Sequence, residues 1–165
     1  MRYWVRHDQP ALPGPICYGW LDVPLAVAPD ITAQALRSVI PSALPVFSSP
    51  LQRCRLLAEH LQEQPTILDD LREVHFGDWE GELWDDIPRD LLDAWAQTPY
   101  EFQFPNGEAV PQFLARVGAV IDTLPEACIV VTHAGVIRAA LHHRKGLALQ
   151  EAFATPIPFG SYLKF

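Results

Sequence analysis

Apolar and polar positions along this chain change period several times, and each change marks an element. In "MRYWVRHDQP" the run Tyr3, Trp4, Val5 predicts a short buried strand over residues 2–7, and the strand ends on Arg6 and His7. Residues 8–30 are rich in Pro and Gly and predict an irregular loop. "ITAQALRSVIPSAL" has helical spacing, with Thr32 as its cap. "PVFSS" predicts a short strand, and Pro50 then stands near the first turn of a helix through "LQRCRLLAEHLQEQ". "TILDDL" predicts a third strand or a strand end. "REVHFGDWEG" has no clean period and two glycines, which predicts a loop.

Residues 82–106 are acidic and aromatic, with a helix predicted around 88–96. "EAVPQFLARVGAVIDTL" returns to helical spacing, and "ACIVVTH" is the clearest buried strand. "GVIRAALHHRKG" predicts a helix ending at Gly146, and "GSYLKF" an added edge strand. No internal repeat occurs. Strands alternating with helices predict an α/β fold, a three-layer sandwich whose mainly parallel central sheet is flanked by helices. Residues 1–165 are expected to form a single domain, with a small cap insertion around 82–106.

In such sheets the carboxyl ends of the strands form the ligand crevice. The first strand ends at Arg6 and His7, the second at Ser48 and Ser49 with Arg53 just beyond, and the core strand at Thr132 and His133. Three strands thus bring four cationic or cationisable side chains to one rim.

Composition narrows the choice of ligand. A hydrophobic fraction of 49% over 165 residues is enough for one real core. The formal net charge of −8 argues against nucleic acid or an anionic membrane as partner, so an anionic substrate has to be met by locally gathered cations. Cys17, Cys54 and Cys128 show neither metal-ligand nor disulfide spacing and are expected to be reduced and partly buried. No signal-like or membrane-spanning run is present, so a cytoplasmic location is the expectation. The sequence is silent on oligomeric state.

An imidazole ringed by guanidinium groups repels a divalent cation, so no metal and no cofactor are expected. The same ring suits a phosphoryl group, whose oxygens take charge-assisted hydrogen bonds. A helix starting just after His133 would aim amide N–H groups at the same anion. His7 is then a candidate nucleophile at phosphorus, with Arg6, Arg53 and His133 holding the phosphoryl group. The leaving alkoxide needs a proton, and Glu73, Asp78 and Glu80 of "REVHFGDWEG" are all candidates for the acid. Trp79 and Glu80 are expected to pack the loop and, with Trp84, to line the mouth. His60, His75, His142 and His143 lack converging partners, and Arg138 is expected to be packed.

These residues resemble the histidine phosphatase superfamily, also called phosphoglycerate-mutase-like. "RH" at 6–7, "YGWLDVPL" at 18–25, "SSPLQRC" at 48–54, "LREVHFGDWEG" at 71–81, "NGE" at 106–108 and "VVTHAGVIR" at 130–138 match its blocks in order and span nearly the whole chain. The closest likeness within the family is to short phosphatases of the α-ribazole-5′-phosphate type, which act in cobalamin nucleotide-loop assembly. The resemblance implies that His7 is the residue phosphorylated, that Arg6, Arg53 and His133 hold the phosphoryl group, and that Glu73 is the acid.

The chain also departs from the pattern. Asp8-Gln9-Pro10 stands where most members carry Gly-Glu-Thr, Pro13 where an asparagine is common, and Ala134 where a glycine is common. A charge at Asp8, near an anion site, is expected to weaken binding or to tilt the substrate. In the cap, Arg89 is the sole cation against Glu82, Asp85, Asp86, Asp90, Asp93 and Glu101, which disfavours a carboxylated substrate such as phosphoglycerate. Mutases of the family usually carry tyrosine where Phe76 stands. Trp84, Trp95, Tyr100, Phe102 and Phe104 either stack on an aromatic base or only pack the cap. The expected activity is a metal-independent phosphomonoesterase with a phosphohistidine intermediate, acting on a small-molecule phosphate ester, with α-ribazole 5′-phosphate favoured. A broad, sugar or nucleotide phosphatase, or an impaired phosphate-ligand binding protein, are the alternatives.

Overall fold

The computed structural model describes residues 1–165. Its five strands are β1 (Arg2–Arg6), β2 (Val46–Ser48), β3 (Thr66–Ile67), β4 (Cys128–Thr132) and β5 (Tyr162–Lys164), and they form one sheet in the order β3-β2-β4-β1-β5. Every pairing is parallel except that of β5, which runs antiparallel to β1 at the edge. Six helices accompany the sheet: α1 (Asp30–Val39), α2 (Gln52–Leu61), α3 (Arg89–Gln97), α4 (Val110–Thr123), α5 (Ala134–Lys145) and α6 (Leu149–Ala154). None is long and apolar enough to cross a membrane.

β4 is buried at every position, as a central parallel strand covered on both faces must be. Strand alternation then assigns the two faces. Tyr3, Val5, Ile129 and Val131 pack with Ala33 and Leu36 of α1 and Leu57 of α2. Trp4, Cys128 and Val130 pack on the other side with Val117 and Ile121 of α4 and Val136 and Ile137 of α5. Each fully buried branched side chain contributes about 1.5–3 kcal/mol, so both helical layers are held mainly by these faces. The result is the expected three-layer α/β sandwich.

Register decides what reaches the rim. Arg6 lies opposite Thr132, and Ser48 opposite Val131. The ladder continues for one more residue, as His7 N–H donates to the Thr132 carbonyl and Ser49 N–H to the Val131 carbonyl, both at 3.1 Å. Arg6-His7, Ser48-Ser49 and Thr132-His133 therefore leave the sheet at one level.

Several boundaries differ from those predicted. α1 starts at Asp30 after Pro29 and has no side-chain cap. Thr32 lies inside its first turn, and its hydroxyl instead donates to Asp8 Oδ1 at 2.6 Å. β3 is only two residues long. A single turn at Asp69–Leu71 follows it, fixed where the Thr132 hydroxyl donates to the Leu71 carbonyl at 2.8 Å. α2 begins two residues past Pro50, at Gln52. Gly146 does close α5, in a left-handed conformation with φ 68°. The loop after β3 contains a further turn at Gly77–Trp79, where Gly77 has φ +60° and a Cβ would lie 2.0 Å from the Pro105 carbonyl oxygen. Only glycine fits there.

Candidate active site

His7 follows the last residue of β1 and is 2% exposed. Its Nδ1–H donates to the Asp8 carbonyl oxygen at 2.6 Å, which fixes the tautomer and leaves the lone pair on Nε2. Burial, then the Arg53 charge, push its pKa down to about 3, with Arg6 adding to the effect and the bond to Asp8 opposing it. The imidazole is therefore neutral at physiological pH.

His133, the residue before α5, is fully buried, with its ring centroid 5.2 Å from that of His7. Its Nε2 is hydrogen-bonded to Ser49 Oγ at 2.8 Å. Burial and then Arg53 hold its pKa well below the ordinary value. Arg53, in the first turn of α2, is fully buried and donates to the carbonyls of Leu21 and Gly19, each at 2.7 Å. Its guanidinium stands 4.9 Å from the centre of the Tyr18 ring. Arg6 lies 3.7 Å over the Phe159 ring and donates to the Ile157 carbonyl. Nε of Arg6 and Nε of Arg53 are buried donors with no partner in the protein. Two guanidinium groups and two neutral imidazoles thus share one cradle, whose charge suits the oxygens of a phosphoryl group.

Asp8 has side-chain partners of its own. Its buried carboxyl turns toward Thr32 and the backbone at Gly160, and only its carbonyl serves His7. Burial raises its pKa, and the Thr32 hydrogen bond works in the other direction.

Beside the cradle opens a cavity of about 470 Å³. Arg6, His7, Tyr18 and Glu73 form its cradle side, and Phe76, Trp84, Trp95, Phe104, Phe113 and Phe153 form its apolar walls. Of the three candidate acids only Glu73 lines this space. Its Oε2 accepts from Gly135 N–H and its Oε1 from Val74 N–H, both at 3.0 Å. Asp78 is exposed and accepts from Asn106 Nδ2 at 2.8 Å. Glu80 staples the loop by accepting the backbone N–H groups of Trp20 and Phe76 at 2.6 and 3.2 Å.

The predicted mouth residues divide. Trp84 lines the cavity with Trp95 and Phe104, whereas Trp79 is 3% exposed and packs among Trp84, Trp95, Phe102 and Phe104. Trp79 and Glu80 stand outside the cavity wall because the turn at Gly77–Trp79 points the indole inward and the carboxylate back onto the loop. Tyr100 is 58% exposed and reaches neither core nor cavity.

Three features escaped the sequence. Tyr18 lines the cavity beside His7. Arg116 of α4 grips Glu108 with two bonds at 2.8 and 3.0 Å and donates to the carbonyls of Asp70, Arg72 and Glu73, which braces the loop that carries Glu73. Arg138, expected to be packed, lines the cavity instead. Its spacing of three from Gly135 on α5 is the signal that would have found it.

The fold and this cradle together define an enzyme that handles phosphate monoesters. The sequence profile of the histidine phosphatase superfamily (branch 1) matches residues 3–165, and the chain belongs to that family. It is a phosphatase by that membership. Solved structures agree in fold: TTHB049 from Thermus thermophilus is 32% identical with a TM-score of 0.82, over 98% of this chain and 90% of that one. A phosphoglycerate mutase from the same organism is 32% identical with a TM-score of 0.81, over the same 98% and 90%. A candidate α-ribazole-5′-P phosphatase from Escherichia coli K-12 MG1655 is 23% identical with a TM-score of 0.82, over 98% and 87%. No curated protein gave a match.

Proposed function

We propose that the protein is a metal-independent phosphomonoesterase that works through a phosphohistidine at His7 and hydrolyses α-ribazole 5′-phosphate. The observation that carries this is a neutral, tautomer-fixed His7 set between Arg6 and Arg53, with Glu73 where the cradle meets an aromatic cavity. In the first step His7 Nε2 attacks phosphorus and the P–O bond to the alcohol breaks. Glu73 gives its proton to the leaving oxygen, while Arg6, Arg53 and His133 hold the phosphoryl oxygens. In the second step a water attacks the phosphohistidine, its proton returns to Glu73, and inorganic phosphate departs with His7 regenerated.

Support for the substrate comes from the cavity walls. Trp84 and Trp95 are near-parallel, at 15° with centroids 6.3 Å apart, and offer flat apolar surface for an aromatic base. The one cap cation, Arg89, is exposed and paired with Asp93 at 2.9 Å, so the cap supplies no partner for a carboxylate. The motif likeness to short α-ribazole phosphatases points the same way. The Asp8 carboxyl accepts from the Thr32 hydroxyl, which speaks against a binder without turnover.

The test is phosphate release in EDTA from α-ribazole 5′-phosphate, 3-phosphoglycerate and p-nitrophenyl phosphate, with His7→Ala as control. A strong preference for the first ester, abolished in the variant, is the expected result. Equal turnover of all three would overturn the substrate assignment. Appreciable activity in His7→Ala would overturn the phosphohistidine.

A further inference from the structure

We infer that Arg138 is the residue that recognises the alcohol half of the substrate, by donating to hydroxyl or ether oxygens such as those of a ribosyl group. The inference rests on the phosphatase assignment above and deepens it. Arg138 lies on α5, one turn beyond the Ala134–Gly135 start that faces Glu73. Its Nε donates to the Thr155 carbonyl at 3.0 Å, which pins the guanidinium and leaves both terminal nitrogens free at the cavity wall.

Elimination assigns those donors. The polar residues lining the cavity are Arg6, His7, Tyr18, Glu73, Arg138 and Gln150. Arg6 and His7 serve the phosphoryl group, Glu73 moves the proton, and Tyr18 stacks its ring against Arg53. Arg138 and the exposed Gln150 remain for the leaving group, and only Arg138 is half-buried against the aromatic walls. A half-buried guanidinium facing aromatic rings is costly unless an acceptor meets it. Glu73 is the carboxylate whose field supports the Arg138 charge, and both its oxygens are already engaged by backbone N–H groups. When Glu73 carries the proton it is to deliver, that field is lost. Since the surrounding cap is acidic and disfavours a second anion, hydroxyl or ether oxygens of the alcohol supply the acceptors, next to the bond being broken.

The experiment measures kcat and KM for wild type, Arg138→Gln and Arg138→Lys on α-ribazole 5′-phosphate, adenosine 5′-monophosphate, the 2′,3′-dideoxy form of each, and p-nitrophenyl phosphate. The expected wild type prefers each hydroxylated ester to its dideoxy form at least tenfold. Arg138→Gln is expected to lower kcat/KM on the hydroxylated esters ten- to a hundredfold and on the dideoxy and nitrophenyl esters much less, so that the preference collapses. Arg138→Lys, which keeps charge without the planar fork, is expected to fall between. Equal losses on all esters would show a merely structural role, and no hydroxyl preference in wild type would overturn the inference outright. Unfolding midpoints control for folding, and the lysine variant carries the test if glutamine does not fold. Preference for the ribazole base over adenine reports on the proposed substrate separately, so the substrate can fail while Arg138 stands.

Discussion

Acidification should unfold this protein through its two catalytic-site imidazoles. In the unfolded chain each titrates near pH 6.5, whereas His7 in the fold titrates at about 3 and His133 well below its ordinary value. Below pH 6.5 the unfolded state therefore binds protons that the folded state refuses, so stability is lost as pH falls and is whole above that value. At pH 5 the His7 imidazole alone costs roughly 2 kcal/mol, from about 1.4 kcal/mol per pH unit over about 1.5 units, and His133 acts in the same direction. The His7 share alone is a sizeable part of the roughly 5–15 kcal/mol that holds a typical domain. Asp8 acts in the opposite sense, because its raised pKa lets the fold take up a proton that the unfolded chain releases. Urea unfolding at pH 7 and pH 5, in wild type and in a His7→Gln, His133→Gln double variant, isolates the two imidazoles because every other titrating group is common to both. Wild type is expected to lose at least about 2 kcal/mol more than the double variant. A difference under about 1 kcal/mol would refute the buried, neutral state on which nucleophilic attack by His7 depends.

Gly135→Ala would place a Cβ 2.1 Å from Glu73 Oε1, so the flexible carboxylate must move. The expected loss is at least tenfold in kcat with little change in unfolding midpoint, and an unaltered kcat would show that Glu73 is not the acid. Glu73→Gln removes the proton itself and should slow alkyl phosphates far more than p-nitrophenyl phosphate, whose leaving group needs no acid; equal losses would return the role to Asp78 or Glu80. Asp8→Asn keeps the main-chain carbonyl on His7 and the acceptor for Thr32, and kcat/KM is expected to change less than threefold. A gain above tenfold would show that the Asp8 charge does oppose the bound anion.

How much of this was legible in the sequence follows from what each feature depends on. β1 and β4 were plain because their apolar runs are local, and the residues that end such runs must appear at the rim once the strands pair in parallel. Arg6, His7 and His133 therefore came from pattern and pairing alone, and Arg53 from its place just after β2. Glu73, Asp78 and Glu80 share one aperiodic loop, and nothing within the loop ranks them. The family likeness chose Glu73, and the structure then placed Glu73 alone at the cavity, through bonds to Gly135, which lies far along the chain, and to its neighbour Val74. Trp79 packs the loop as expected but does not reach the mouth, and a turn with no period hides which way its side chains face. Asp8 takes its side-chain direction from Thr32, whose local preference is that of a helix cap while its hydroxyl answers a tertiary partner. Arg138 is the most instructive. Its helix was predicted, and its phase relative to Gly135 was fixed by that prediction. Whether that face met solvent, core or ligand depended on where the cap residues 82–106 and α6 came to rest. Candidate catalytic groups anchored to the sheet are thus written into local pattern, whereas the cavity wall is written into the packing of an insertion against a helix, and it becomes visible only when both are in place.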